Sequence, residues 1–303
     1  MHSLAPYTIR SYEPNYFKLK KQYPPLDKIL GRFDLYILFK DFLNEQGTDF
    51  HLNEPEKKIF RFLDLKFNDE TRIIQGYLEQ GHYGLKADII NIELGTVDYE
   101  KTEKNAELIK YYFYLKIPVT YNEGLALFQV YKNVSAKTLI FNILLDKYKL
   151  KTDLNLQFNS LSDLKSLEKW KDAQVKEIKL TKFNPIQDRA QKLMNLGHKE
   201  IDSNLSIRPK TGNFGPLRSF YKTDSDQFKA VEVWEEQCAQ VKTVVNLNGK
   251  NRTFTVGKSK TLGLCEIEAP DNLEIDGGLP TNSALELWFD QTDKDLSKEL
   301  YKP

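Results

Sequence analysis

At 303 residues, 40% hydrophobic and 12% aromatic, the chain can bury a substantial core and exceeds one typical domain. Its 44 Lys and Arg nearly cancel 43 Asp and Glu. The longest apolar run, Tyr111 to Val119, carries Lys116 and ends at a proline, far short of the roughly 18 residues a bilayer span needs.

Residues 1–31 read as extended pieces broken by Pro6, Pro14, Pro24 and Pro25. Asp34 then caps a helix whose apolar positions 35, 38, 39, 42 and 43 share one face, and Gly47 stops it. Phe60, Phe62, Leu63, Leu65 and Phe67 predict a strand. A meander follows. Ile73, Ile74, Tyr77 and Leu78 lead into Gly81 and Gly84. Ile90 and Ile92 alternate with Asn91 and Glu93, Gly95 turns, and Val97 and Tyr99 alternate with Asp98 and Glu100. That alternation predicts antiparallel strands with one wet face. Tyr111 to Ile117 and Leu125 to Tyr131 are continuously apolar and read as central strands, and their aromatic run is expected to be core. A helix with Ser135 as its N-cap follows over AKTLIFNILLDKYKL.

Farther along, NLQFNS and VKEIKLTKF predict strands, with a helical stripe of Leu161, Leu164, Leu167 and Trp170 between them. Residues 186–195 read as a short helix and 205–220 as a basic, Gly- and Pro-rich loop. Asn248-Gly249 between two strand-like runs is a hairpin signal. Thr281, Asn282 or Ser283 caps a terminal helix.

The expected class is therefore α+β: an N-terminal antiparallel sheet with helices packed on one face, then a smaller β-rich part and a C-terminal helix. The segments are an α+β domain at 1–150, a basic α/β segment at 151–222 and an acidic hairpin with helix at 223–303. The charge runs in a gradient. Residues 132–192 hold 13 Lys and Arg against 7 Asp and Glu, whereas 223–303 hold 9 against 15. The basic stretch suggests an anionic partner.

Motifs with chemistry are few. His2, His51, His82 and His198 are scattered and none is near a cysteine, so no zinc spacing occurs. Phosphate-binding glycine loops and a nucleophile elbow are absent from the sequence. Neither a metal nor a cofactor is expected. A magnesium nuclease would need an acid, then an acid-x-Lys pair. Asp64-Leu65-Lys66 with Asp88 is the best seat, and Glu177-Ile178-Lys179 repeats the triplet. A nucleic-acid surface would draw on Lys176, Lys179, Lys182, Arg189, Lys192, Arg208, Lys210 and Arg218, the last three flanking a loop with Phe214 and Phe220 interleaved.

The stretch 73–145, with Gly81 to Gly84, IINIELGTVDYEK, YFYLKIP and GLALFQ before a helix, resembles proteins of bacterial phage-defence islands. In organisation it is similar to the B subunit of the Kiwa defence system and to some abortive-infection proteins. VKTVVNLNGKNRTFTV adds to the likeness. The resemblance covers about a quarter of the chain and carries no catalytic signature. It implies a cytoplasmic, often DNA-binding protein.

Three functional readings follow. The first is a non-enzymatic nucleic-acid-engaging protein of an antiphage system. The second is a metal-dependent nuclease using Asp64, Asp88 and Lys66. The third is a sensor or inhibitor that recognises a phage or host protein. The opening MHSLAPYTIRSYEP lacks the apolar core of a secretory signal. A cytoplasmic location without membrane insertion, reduced Cys238 and Cys265, and a homodimer as the default assembly complete the expectations.

Overall fold

A computed structural model of the chain describes residues 2–13, 23–132, 134–161, 170–181, 204–235, 237–247, 249–257 and 263–301. The fold is α+β, built on antiparallel sheet. The chain divides into two compact units. One is Tyr7–Phe158 with the first two residues, and the other is Ser3–Pro6 with Asn159–Pro303.

The first unit draws on β1 (His2–Tyr12), β2 (His51–Asn53), β3 (Lys58–Asn68), β4 (Ile73–His82), β5 (Ala87–Ile90), β6 (Val97–Lys101), β7 (Glu107–Lys116), β8 (Gly124–Tyr131), β9 (Val134–Ser135) and β10 (Asn155–Ser160). Its sheet runs β1-β8-β7-β4-β3-β2, with β9 beside β8 and β10 beside β1. β4 and β7 pair without interruption from Ile73 opposite Lys116 to His82 opposite Glu107.

Two helices, α1 (Leu35–Gln46) and α2 (Lys137–Thr152), share one core with the sheet. Alternate residues supply the sheet side of it: Phe60 and Phe62, Ile74 and Leu78, Tyr111, Phe113 and Leu115, Ala126 and Phe128. Rings meet edge-on, as at Phe62 and Phe113, 6.1 Å apart. The intervening residues Tyr112, Tyr114, Leu125 and Leu127 are buried too. That explains why β7 and β8 read as unbroken apolar runs.

Asp34 caps α1 as expected, accepting from the Tyr36 and Ile37 amides. It also takes a two-pronged ion pair from Arg72, at 2.5 and 2.9 Å, while Arg72 Nε donates to the Ile117 carbonyl at 2.7 Å. One guanidinium thus ties a helix start to the sheet. α2 begins a residue later than expected: Ala136 occupies the cap, and Ser135 sits in β9 and receives only a long 3.4 Å bond from the Lys137 amide.

The second unit holds β11 (Gln174–Thr181), β12 (Leu205–Ile207), β13 (Gln240–Leu247), β14 (Lys250–Val256), β15 (Gly263–Glu268), and the two-residue strands β16 (Ile275–Asp276) and β17 (Leu279–Pro280). Helices α3 (Asp226–Glu235) and α4 (Asn282–Leu300) belong to it. Its main sheet runs β12-β11-β13-β14-β15, and Ser3 and Leu4 pair with the far side of β15. The basic segment and the acidic segment therefore form one unit rather than two, because β11 pairs with β13. The expected loop at 205–220 contains a short strand and a 3-10 turn over Leu217–Tyr221. The Asn-Gly hairpin forms, with Gly249 at positive φ. Thr281 caps α4. The Leu161–Leu167 stripe beyond Leu161 and the 186–195 helix lie outside the described residues. Cys238 is a free thiol. No helix among the described residues is long and apolar enough to cross a membrane.

Gly81 is fixed by contact. A Cβ there would stand 2.0 Å from the Glu107 carbonyl oxygen and 2.9 Å from its carbon. Backbone cannot yield as a flexible side chain can, so Gly81→Ala is expected to cost about 1–3 kcal/mol of unfolding free energy. An unchanged midpoint in urea would show that β4 and β7 can part at this end.

Candidate functional site

Between β4 and β7 the chain leaves the sheet. Residues 83–106 span from the His82–Glu107 pair outward and return as a two-stranded ribbon of β5 and β6, paired to each other and, among the described residues, to no third strand. Its base is held by hydrogen bonds from the Tyr83 amide to the Lys57 carbonyl and from the Gly84 amide to the Glu103 carbonyl. At its tip the Asn91 side chain accepts from the Glu93 and Leu94 amides, and Gly95, at positive φ, donates to the Asn91 carbonyl.

The sequence predicted one wet face for this hairpin. Both faces are exposed, from Leu85 to Glu100, with only Asn91 half-buried. Leu85, Ile89, Ile90, Ile92, Leu94, Val97 and Tyr99 all stand in solvent, Ile92 at 96% of its full area. Alternation normally marks one buried face; here neither face is buried among the described residues. The same arm carries Asp88, Glu93, Asp98 and Glu100 and no Lys or Arg between 87 and 100. Asp88 lies directly opposite Glu100 in the register, a cross-strand pairing of like charge that destabilises the ribbon.

The sequence-predicted basic residues have a different fate. Arg208 pairs with Glu177 at 3.0 Å, Lys179 with Glu268 at 2.8 Å, and Arg218 with Asp172 at 2.9 Å. Lys176 and Lys210 are exposed. Lys182, Arg189 and Lys192 lie outside the described residues. The loop expected to offer aromatics is tied down: the Phe214 amide donates to Val175, the Leu217 amide to Ala173, and Phe220 is buried. Phe220 is therefore core and offers no stacking platform.

The Arg208–Glu177 and Lys179–Glu268 pairs belong to a polar ladder on one face of the second unit's sheet, whereas Arg218 and Asp172 lie off its strands. Lys242 reaches Glu266 at 2.7 Å, Ser3 Oγ donates to Glu266 at 2.6 Å, and Ser206 donates to Glu177. Lys179 on β11 and Glu268 on β15 are three inter-strand spacings apart in the strand order, about 14 Å on a flat sheet. Their 2.8 Å contact therefore has both long side chains leaning across the face towards each other. Burial opposes ionisation of Glu266, but Lys242, Ser3 and Lys179 outweigh it and hold its carboxyl below the usual range.

The nuclease residues do not gather. Asp64 and Lys66 are exposed at a bulge in β3, where Asp64 has φ 51, while Asp88 sits in the ribbon of the arm. In the second triplet, Glu177 is taken by Arg208 and Ser206, and Lys179 by Glu268. Among the described residues no group of three or more His, Cys, Asp or Glu is placed to hold a metal ion. Comparison with protein-family models and with curated proteins found no match.

The sign of the Glu266 shift sets a pH test. A carboxyl lowered on folding contributes stability above its unfolded pKa and loses it as pH falls through the folded one. The urea unfolding free energy should therefore drop between pH 6 and pH 3, and drop less in Glu266→Gln. Parallel pH curves for the two proteins would contradict the ladder.

Proposed function

We propose that the chain is a non-enzymatic protein-interaction module, and that residues 85–101 are the arm with which it holds a partner protein whose docking surface is apolar with a basic rim. The observation that carries this reading is an arm with seven large exposed apolar side chains, four of them on its paired strands and Ile92 and Leu94 at its tip. An isolated two-stranded hairpin is marginal in water, and ordering its backbone costs about 1–2 kcal/mol per residue. Such a surface is expected to gain its packing from another molecule.

Charge selects the partner. Four carboxylates against Lys86 and Lys101, both at the base of the arm, leave its outer part purely acidic, which disfavours a second copy of the arm and favours Lys and Arg around an apolar groove. A cation between Asp88 and Glu100 would relieve the like-charge pairing. The unpaired edges of β5 and β6 also suit addition of a partner strand. The resemblance of 73–145 to phage-defence proteins supplies a setting: a cytoplasmic sensor or inhibitor meeting a phage protein or a component of the same system. The nucleic-acid reading is not preferred, because three of its described cations already hold carboxylates.

The test uses a 14-residue peptide of alternating Lys and Leu as a stand-in for the partner surface. Isothermal titration should show binding to the wild-type chain, and binding at least tenfold weaker to Ile92→Asp. That variant adds negative charge, so attraction by charge alone would tighten it instead. Tighter or equal binding would overturn the apolar part of the proposal. A concentration-dependent dimer lost in Ile92→Asp would assign the arm to self-association and overturn the basic partner.

A further inference from the structure

We propose that a cleft in the second unit binds a small organic cation, a flat apolar body carrying an amine. The cleft encloses about 550 Å³, within the size range of small-molecule sites. One wall is the first half of α4, another is β15 with the segment that follows it, and the β13–β14 turn closes the end. The inner surface is mostly apolar, from Ile267, Pro270, Leu273, Leu287 and Trp288.

The walls are fixed by the chain itself. The Leu273 amide donates to the Pro270 carbonyl, and the Thr281 amide to the Glu274 carbonyl. Thr281 Oγ1 donates to the Glu274 carboxylate at 3.0 Å and accepts from the Ala284 amide, so the cap of α4 also anchors the loop. Trp288 is 8% exposed and packs edge-on against Phe289, 5.7 Å away. Leu287, 72% exposed, stands at the mouth. A preformed apolar slot with an aromatic wall loses little entropy when it binds a flat ring.

Charge gives the ligand its sign. Glu268, Asp271, Glu274 and Asp295 line the cleft against a single cation, Arg252. That guanidinium stacks over the Trp170 ring at 5.0 Å, and Glu268 is engaged by Lys179. Asp271 and Glu274, both exposed, set a negative potential at the mouth of the apolar cavity and draw a cation towards it. An ammonium near the rim with its ring against Trp288 matches both properties. The cleft and the arm share no residue, so the two proposals stand independently.

The probes are 1-naphthylmethylamine, its neutral analogue 1-naphthylmethanol and the anion 1-naphthylacetate. Ligand-observed NMR on the whole chain should give a submillimolar Kd for the amine, at least tenfold tighter than the alcohol, and no binding of the anion. Leu287→Lys, at an exposed position that folding tolerates, should weaken the amine at least tenfold at unchanged melting temperature. Asp271→Asn should weaken the amine and leave the alcohol unchanged. Equal affinities for amine and alcohol would overturn the cation assignment. Tight amine binding that ignores Leu287→Lys would overturn the site.

Discussion

The uninterrupted pairing of β4 with β7 is the constraint from which the first unit's other features follow. It places Tyr77 opposite Tyr112 and Gly76 opposite Phe113, so that one face of the sheet meets α1 and α2. It also determines what happens to the residues between those strands. Because His82 and Glu107 close the ladder, residues 83–106 have no place in the sheet and must leave it as an insertion. Gly81 permits the close approach that ends the ladder there. A two-stranded excursion from a sheet end has no layer to bury against, and that is why an apolar ribbon stands in water.

Charge behaves differently from what a count along the chain suggests. The surplus of Lys and Arg at 132–192 and the deficit at 223–303 look like opposite surfaces. The strand order interleaves them. β11 brings Glu177 and Lys179 to the sheet that carries Lys242, Glu266 and Glu268, and the long Lys179 side chain reaches across to β15. A linear gradient thus becomes a compensated ladder. Lysines seen at 176 and 179 are not equivalent either, since the bulge between Val175 and Glu177 sends Lys176 to solvent and leaves Lys179 on the ladder.

Much of the fold was legible because its signals are local or periodic. Asp34 and Gly47 bound α1, Gly249 sits at the β13–β14 turn, Thr281 caps α4, and the unbroken apolar runs became the strands buried on both faces. α3 was not foreseen; its buried face amounts to Val231 alone, so it has no apolar stripe to read. The arm was foreseen as a hairpin but not as a site. Ile90, Ile92, Val97 and Tyr99 alternate just as half-buried strands do, and alternation does not report whether a third layer exists. The available clue was longer-range: matching ten-residue strands on either side of the hairpin can satisfy each other. Ion pairing of Arg208, Arg218 and Lys179 was invisible because each partner lies far off in sequence or is set by register.

Both proposed surfaces combine apolar contact with negative charge, but they differ in form. The arm is a protruding ribbon that suits a groove on another protein, whereas the cleft is a concavity that suits a small cation. Thiol footprinting tests most directly whether the arm is covered by a partner. Ile92→Cys and the equally exposed control Leu150→Cys would each be labelled with a maleimide, once in the purified chain and once inside intact cells, and read by peptide mass spectrometry. Both positions should be labelled in the purified chain, and position 92 alone should be protected in cells. Full labelling of position 92 in cells would contradict a partner-covered arm.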